Sequence, residues 1–378
     1  MMDKFIEAAT KIQNSYIANW KKDGKKIIGY TCSFVPPEIL DAGDILPVRL
    51  MGIEAGSTEI GDSYFGPFIC TFPKCLVQLA GEKKFSFLDG LIITPGCDAM
   101  RRLDECWRKA GNDYEGIVPP FFFHFSVPHK TAEHSLKWFI DEIKRLIEEV
   151  ELHFGVKISN EKLKESISLY NKGRRLLIKL EDLRMPQQTK IKGSDAFAIA
   201  VAGTVIPRLE YNNLLETALT ELEKENHSIN DGKKRLILIG SVSDDIELIK
   251  LIEDLNTVVV AENLCFGVRS GIDEVSENEA PIIALAKKYL STSVCPRMYG
   301  NYKERLEKLK EKIIKFGANG VVMQNIRFCD LHAAENSLFE RDLEKQGIPC
   351  IRIEREYGTM VETGRVKMRL SAFLERIN

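Results

Sequence analysis

Residues 87–109 read FLDGLIITPGCDAMRRLDECWRK, and the order of residue types along them decides the fold. The apolar run at 87–94 reads as a buried strand, Pro95-Gly96 stops it, and a helix follows from Asp98 to Lys109. A mostly uncharged, apolar strand without alternation belongs to a parallel sheet covered on both faces. The same unit recurs in both directions. Upstream, residues 26–30 (KIIGY) and 45–50 read as strands, with a turn at Val35-Pro36-Pro37 and a short helix from Glu38 to Ala42 between them. The prolines suit a first helical turn, where a missing N–H costs little. Just downstream, the apolar run 117–125 holds a fourth strand.

A second series begins at 235–240 (RLILIG), with strands at 257–261, 320–323 and 349–353. Helices are expected between them, around 244–254, 278–290, 302–316 and 334–346. Between the two series the period turns helical, from about Ala132 to Asn226. Trp138, Ile140, Ile143, Leu146 and Ile147 form one core-facing stripe, and Leu163, Ile167, Tyr170 and Leu177 continue it. The predicted fold is α/β: two Rossmann-like lobes with parallel sheets, joined by a helical middle segment. Its units are residues 1–130, 131–230 and 231–378, with no sequence repeat between the lobes.

Composition narrows the function. Apolar residues make up 44% and charged residues 29% of 378, as in an ordinary globular protein, and the net charge of −2 comes without a polybasic block. Nucleic acid is therefore not an expected partner. The apolar stretch 196–206 (AFAIAVAGTVI) is too short to span a bilayer, and the first residues lack the apolar core of a signal peptide. The expected location is the cytoplasm, with no membrane partner. In that reducing compartment nine cysteines, an odd number, point to metal or redox chemistry over disulfides.

Position matters more than number. Cys32, Cys97, Cys265 and Cys329 each lie just beyond the carboxyl end of a predicted parallel strand, where open α/β sheets bind ligands. Cys70 and Cys295 sit in loops near prolines. Cys350, inside a strand, and Cys106, on a helix, read as packing residues, and Cys75 is kept only as a reserve for Cys70. No C-x-x-C pair suggests zinc, and ferredoxin spacing is absent. There is no P-loop, and the segment Gly240-Ser241-Val242-Ser243-Asp244 reads as a helix start capped by Ser243. Asp98 and Asp330, directly after candidate ligands, read as caps of the following helices. His332 is three residues past Cys329 and is the single candidate for a catalytic proton donor near a cluster, against a solvated loop histidine.

Seven segments carry a resemblance. They are GYTCSFVPPEILDAGDILPVRLMG (29–52), CTFPK (70–74), LDGLIITPGCDAMRRL (88–103), AENLCFGVRSG (261–271), ALAKKYLSTSVCP (284–296), GVVMQNIRFCDLHAAE (320–335) and GIPCIRIEREYGTMVETGRVKMRLSAFLE (347–375). In these the chain resembles the 2-hydroxyacyl-CoA dehydratase D-component superfamily, which includes benzoyl-CoA reductase subunits and double-cubane cluster proteins. The resemblance implies a [4Fe–4S] cluster on Cys70, Cys97 and Cys329. It also implies an electron from a separate ATP-hydrolysing iron–sulfur activator, and a homodimer or a heterodimer with a related subunit. In the dehydratases that electron forms a ketyl radical from a 2-hydroxyacyl-CoA, allowing loss of water. Cys32, Cys265 and Cys295 resemble the additional positions of double-cubane proteins, in which an [8Fe–9S] cluster acts on small reducible molecules. The expected activity is that of a dehydratase-like lyase or a double-cubane-type reductase; the alternative is an electron-transfer or cluster-carrier subunit with no substrate of its own.

Overall fold

A computed structural model of the chain describes residues 1–187, 189–224, 228–229, 232–270, 272–291, 295–358 and 363–377. Strands β1 (Lys26–Tyr30), β2 (Ile45–Arg49), β3 (Gly90–Ile93) and β4 (Phe121–His124) form one sheet, all parallel, in the order β2-β1-β3-β4. Strands β5 (Lys234–Gly240), β6 (Thr257–Asn263), β7 (Gly320–Ile326) and β8 (Cys350–Arg355) form the second, in the order β6-β5-β7-β8. The two sheets share one winding scheme, although their sequences show no repeat. Each reverses direction beside its first strand, between β1 and β3 and between β5 and β7, and such a switch opens a crevice at the carboxyl ends.

At the second switch Gly240 has φ +132°, and a Cβ there would lie 1.8 Å from the Gln324 carbonyl oxygen. Only glycine lets β5 and β7 leave the sheet this close together. Gln324 then donates to the Ser241 carbonyl at 2.6 Å, and Ser241 Oγ accepts the Ile326 amide at 3.1 Å.

The middle of the chain is helical as expected, through Glu133–Phe154, Asn160–Asp182, Gly193–Ala202 and Arg208–Lys224; the expected end near Asn226 lies outside the described residues. Every described residue of Gly193–Ala202 except Asp195 is buried, which explains the unbroken apolar run 196–202. It packs against the N-terminal helix Met2–Thr10, helix Ile246–Glu253 and β6. One apolar core runs through it, from Ile27 and Leu46 of the first sheet to Leu236 and Val322 of the second.

Three expectations need correcting. Trp138 is 47% exposed, and its neighbour Phe139 fills the core instead. A helical stripe read one residue out of phase turns by about 100°, enough to exchange a buried for an exposed side chain. Second, the helix before β8 is Asp330–Glu344, starting four residues earlier than its apolar pattern suggests. Third, helix Pro281–Leu290 does not cover the second sheet. Ala284, Leu285, Tyr289 and Leu290 pack with Ile28, Ile92 and Phe123 of the first. Amphipathic spacing shows that a helix has a face to bury but not against which sheet. Helices Met2–Thr10, Ser15–Lys22 and Thr363–Arg376 complete the frame. Among the described residues no helix is long and apolar enough to cross a membrane.

Candidate metal centre

Three of the six loop cysteines begin helices. Cys70 is the N-cap of Thr71–Gly81, Cys97 of Asp98–Asp113 and Cys329 of Asp330–Glu344. Asp98 and Asp330 are therefore not the caps; each is the first residue inside its helix, and Asp98 pairs with Arg101 at 2.8 Å. Nor does Ser243 cap the helix after β5. Asp245 does, accepting the Leu248 amide at 3.2 Å, while Ser243 Oγ accepts the Asp245 amide.

A thiol at a helix start faces backbone amides and the positive end of the dipole, which favour its anion. Here burial wins. It pushes the Cys97 thiol up to about 12, against the downward pull of the Met100 and Ala99 amides. Cys70 is held well above its ordinary value and Cys329 is raised, burial again being the largest cause. Without metal these groups are neutral thiols, so loading a cluster must release protons.

The other three approach from different elements. Cys32 follows β1, and a Cβ on Gly96 would lie 3.7 Å from its sulfur. Cys265 sits two residues past β6 on a loop folded around Glu262, whose carboxylate accepts the amides of Leu264 (2.9 Å) and Val268 (2.8 Å). That loop needs Gly267, where a Cβ would lie 2.2 Å from the carboxylate. Cys295 follows helix Pro281–Leu290, beyond residues 292–294, which lie outside the described set. Two arginines clamp its segment. Arg297 donates to the carbonyls of Gly96 (3.1 Å), Val127 (2.8 Å) and Pro128 (2.9 Å). Arg305 donates to those of Cys295 (3.3 Å) and Met298 (3.1 Å) and pairs with Glu335 at 2.6 Å.

All six cysteines line one cavity of about 110 Å³, whose walls include Phe72, Met100, Val242 and Leu331. Cys70, Cys97 and Cys329 also form the floor of an open cleft of about 680 Å³, to which Cys32, Cys265 and Cys295 do not contribute. By the spaces they line, the six divide into an outer trio shared with the cleft and an inner trio confined to the cavity. The two trios interact: Cys97 feels Cys329 and Cys32, Cys329 feels Cys265, and Cys295 feels Cys32 and Cys265. The remaining cysteines are elsewhere. Cys75 is buried beside Asp244 and Tyr357, Cys106 donates to the Tyr64 carbonyl at 3.4 Å, and Cys350 lies in the core of the second sheet.

His332 lines the cavity from the first turn of its helix and is buried, not solvated. Burial, helped by Arg269 and Arg305, keeps its imidazole neutral far below the ordinary range. Sequence reasoning missed Arg49, Arg269 and Arg297, all on the cavity wall. Arg49 donates to the carbonyl of Cys265 and, at 3.2 Å, to its sulfur. A signal existed, since Arg49 interrupts the apolar strand ILPVRLM and an arginine there must be buried for a reason.

Among the described residues no three His, Cys, Asp or Glu side chains converge closely enough to hold a single metal ion. A ring of thiols around a wider space, lined by cations and apolar groups, suits a multi-iron cluster, where each thiolate takes a different iron. The residues present fit an iron–sulfur group.

Comparison with known proteins agrees on the family. The family model for 2-hydroxyglutaryl-CoA dehydratase, D-component, matches residues 32–377. The chain belongs to the D-component family. This D-component protein is 27% identical over 340 residues to a benzoyl-CoA reductase subunit of Thauera aromatica, covering 88% of this chain and 86% of that one. It is 23% identical over 360 residues to the (R)-phenyllactyl-CoA dehydratase beta subunit of Clostridium sporogenes, covering 94% and 93%. The (R)-2-hydroxyglutaryl-CoA dehydratase beta subunit of Acidaminococcus fermentans is 23% identical over 380 residues, 98% of each chain. Membership makes the D-component protein a dehydratase-like enzyme.

Proposed function

We propose that this D-component protein is an iron–sulfur dehydratase or reductase that performs low-potential one-electron chemistry, with the electron supplied by a separate ATP-hydrolysing activator. The observation that carries the reading is the convergence of six thiols, from loops of both sheets, on one cavity whose outer trio floors a cleft. Cys70, Cys97 and Cys329 would hold a [4Fe–4S] cluster; with Cys32, Cys265 and Cys295 the set suffices for an [8Fe–9S] double cubane. When bound, such a group supplies single electrons and Lewis-acidic iron.

The chain's own groups prepare the site. Phe72, Met100, Val242 and Leu331 exclude water, which strengthens every charge interaction inside. Arg49 and Arg297 offset negative charge on the sulfurs, and the neutral His332 presents a ring N–H. The cleft is large enough to admit the reacting end of a 2-hydroxyacyl thioester or a small reducible molecule. The relatives are subunits of larger enzymes by name, so a homodimer or a heterodimer with a related chain is the proposed assembly.

The test is iron and acid-labile sulfide per chain after anaerobic purification, with electron paramagnetic resonance of the reduced protein. About eight irons assign both trios, and about four assign one cubane to the outer trio. A protein that remains free of iron after reconstitution overturns the reading. With iron in place but no turnover of either substrate class by activator and ATP, the chain is an electron carrier instead.

A further inference from the structure

A second chamber of about 80 Å³ adjoins the cavity, with Val35, Pro37 and Leu177 on its apolar walls and Tyr30, Ser33, Arg49, Tyr170, Arg174 and Arg208 supplying its polar groups. Arg49 and Ser33 belong to the walls of both spaces. The chamber gathers more positive charge than its carboxylates offset. Arg174 is matched by an ion pair with Glu38 and bonds to Tyr289 and Asn171. Arg49, only 3% exposed, spends its two terminal nitrogens on Cys265 and leaves Nε–H without a partner. Arg208 stacks on Tyr170 with 4.1 Å to the ring centre and donates to the Gly203 carbonyl at 2.9 Å, and its buried Nε–H is also unpartnered. Against these stand Glu38 and Asp41, the carboxylates that act on Tyr170, and burial raises Asp41 towards its neutral form.

Glycine keeps the geometry open. A Cβ on Gly173 would stand 3.0 Å from Arg208 Nη1 and 2.6 Å from Asn212 Oδ1. Buried donors left unpaired are costly, and arginine forks with phenolic hydroxyls match the oxygens of an oxyanion. A chamber of this volume holds a few waters or one tetrahedral ion.

We propose that this chamber binds a small inorganic oxyanion of phosphate size, held by Arg49 and Arg208 with the hydroxyls of Tyr30 and Tyr170. Because Arg49 also holds Cys265, occupancy of the chamber is coupled to the order of the inner cysteine trio. The site stands on the chamber's own donors and does not depend on which substrate the cleft takes.

The experiment is equilibrium dialysis of the anaerobically purified, iron-loaded protein against radiolabelled inorganic phosphate, at constant ionic strength in a buffer free of other oxyanions. One phosphate per chain is expected, bound at least ten-fold more weakly by Arg208→Gln and a few-fold more weakly by Tyr170→Phe, with iron content unchanged in the latter. Absence of saturable binding, or equal affinity in wild type and both variants, overturns the proposal. If Arg208→Gln does not fold, Tyr170→Phe still tests affinity, and a crystal structure in phosphate decides the place. A tetrahedral ion between Arg49 and Arg208 supports the site, and water alone in the chamber overturns it.

Discussion

Glu262 does not line the cavity, yet it shapes the loop that presents one of its sulfurs. Its carboxylate ties the amides of Leu264 and Val268 on either side of Cys265. Glu262→Ala leaves two buried amides unpaired, at about 1–3 kcal/mol each, and frees that loop. The expected result is a folded protein by circular dichroism that has lost much of the iron assigned to the inner trio, measured by anaerobic iron content. Cys97→Ala is expected to remove the outer cluster instead, while Cys106→Ala, a packing position, retains full iron. Asp244 makes a prediction about pH. Burial raises its carboxyl to about 6, against the downward pull of the bond from Tyr357 at 2.5 Å. The folded state therefore holds this proton more tightly than the unfolded chain, whose value is 3.8. The group's contribution is greatest below pH 4 and is lost as pH rises to 6, a change of about 3 kcal/mol for a shift of two units. Asp244→Asn should flatten that part of the stability profile and raise the melting temperature at pH 7.5; an unchanged difference between pH 4 and 7 would falsify the assignment.

At the scale of elements, the strands were legible, as were the helix starts at Asp98 and Tyr302, but the capping residues were not. All eight strands lie where apolar runs placed them, with ends moved by a few residues, because fully covered parallel strands need unbroken apolar sequence. Helix starts depend on capping, and cysteine is not a residue that capping statistics favour. That is why Asp98 and Asp330 look like caps while Cys97 and Cys329 hold the position. The end of β5 carries the sharpest prediction at this scale. Gly240→Ala puts a Cβ against the Gln324 carbonyl at a φ that only glycine adopts readily. Such strain costs at least about 1–3 kcal/mol before the clash is counted, so a large fall in melting temperature is expected. A variant melting within a degree of wild type would show that β5 and β7 separate more easily than their contact suggests.

At the scale of the molecule, the helix Pro281–Leu290 crosses from the second half of the chain to the face of the first sheet. It carries Cys295 towards Cys32, and Arg297 then locks the segment to the loops after β3 and β4. We propose residues 1–130, 131–230 and 231–378 as units of organisation, not as independently folding domains. A fragment ending at residue 230 lacks part of the cover for Ile28, Ile92 and Phe123 and about a quarter of the shared core. It is expected to be insoluble or molten, with dye binding and poorly dispersed amide spectra. A cooperative unfolding transition in that fragment would contradict the shared core.

The sequence by itself determined the α/β class, the parallel strands, the helical middle and the loop positions of the six cysteines, because these depend on local periodicity and on where strands stop. It also carried the family, through motifs spread over most of the chain. Only the tertiary structure decided that the six cysteines share one cavity, that they divide into outer and inner trios, and that Arg49 joins that cavity to an adjoining charged chamber. Those relations depend on which sheet a helix packs against and on which loops meet across the lobes. They join residues as far apart as Arg49 and Cys265, and no local pattern encodes such a distance.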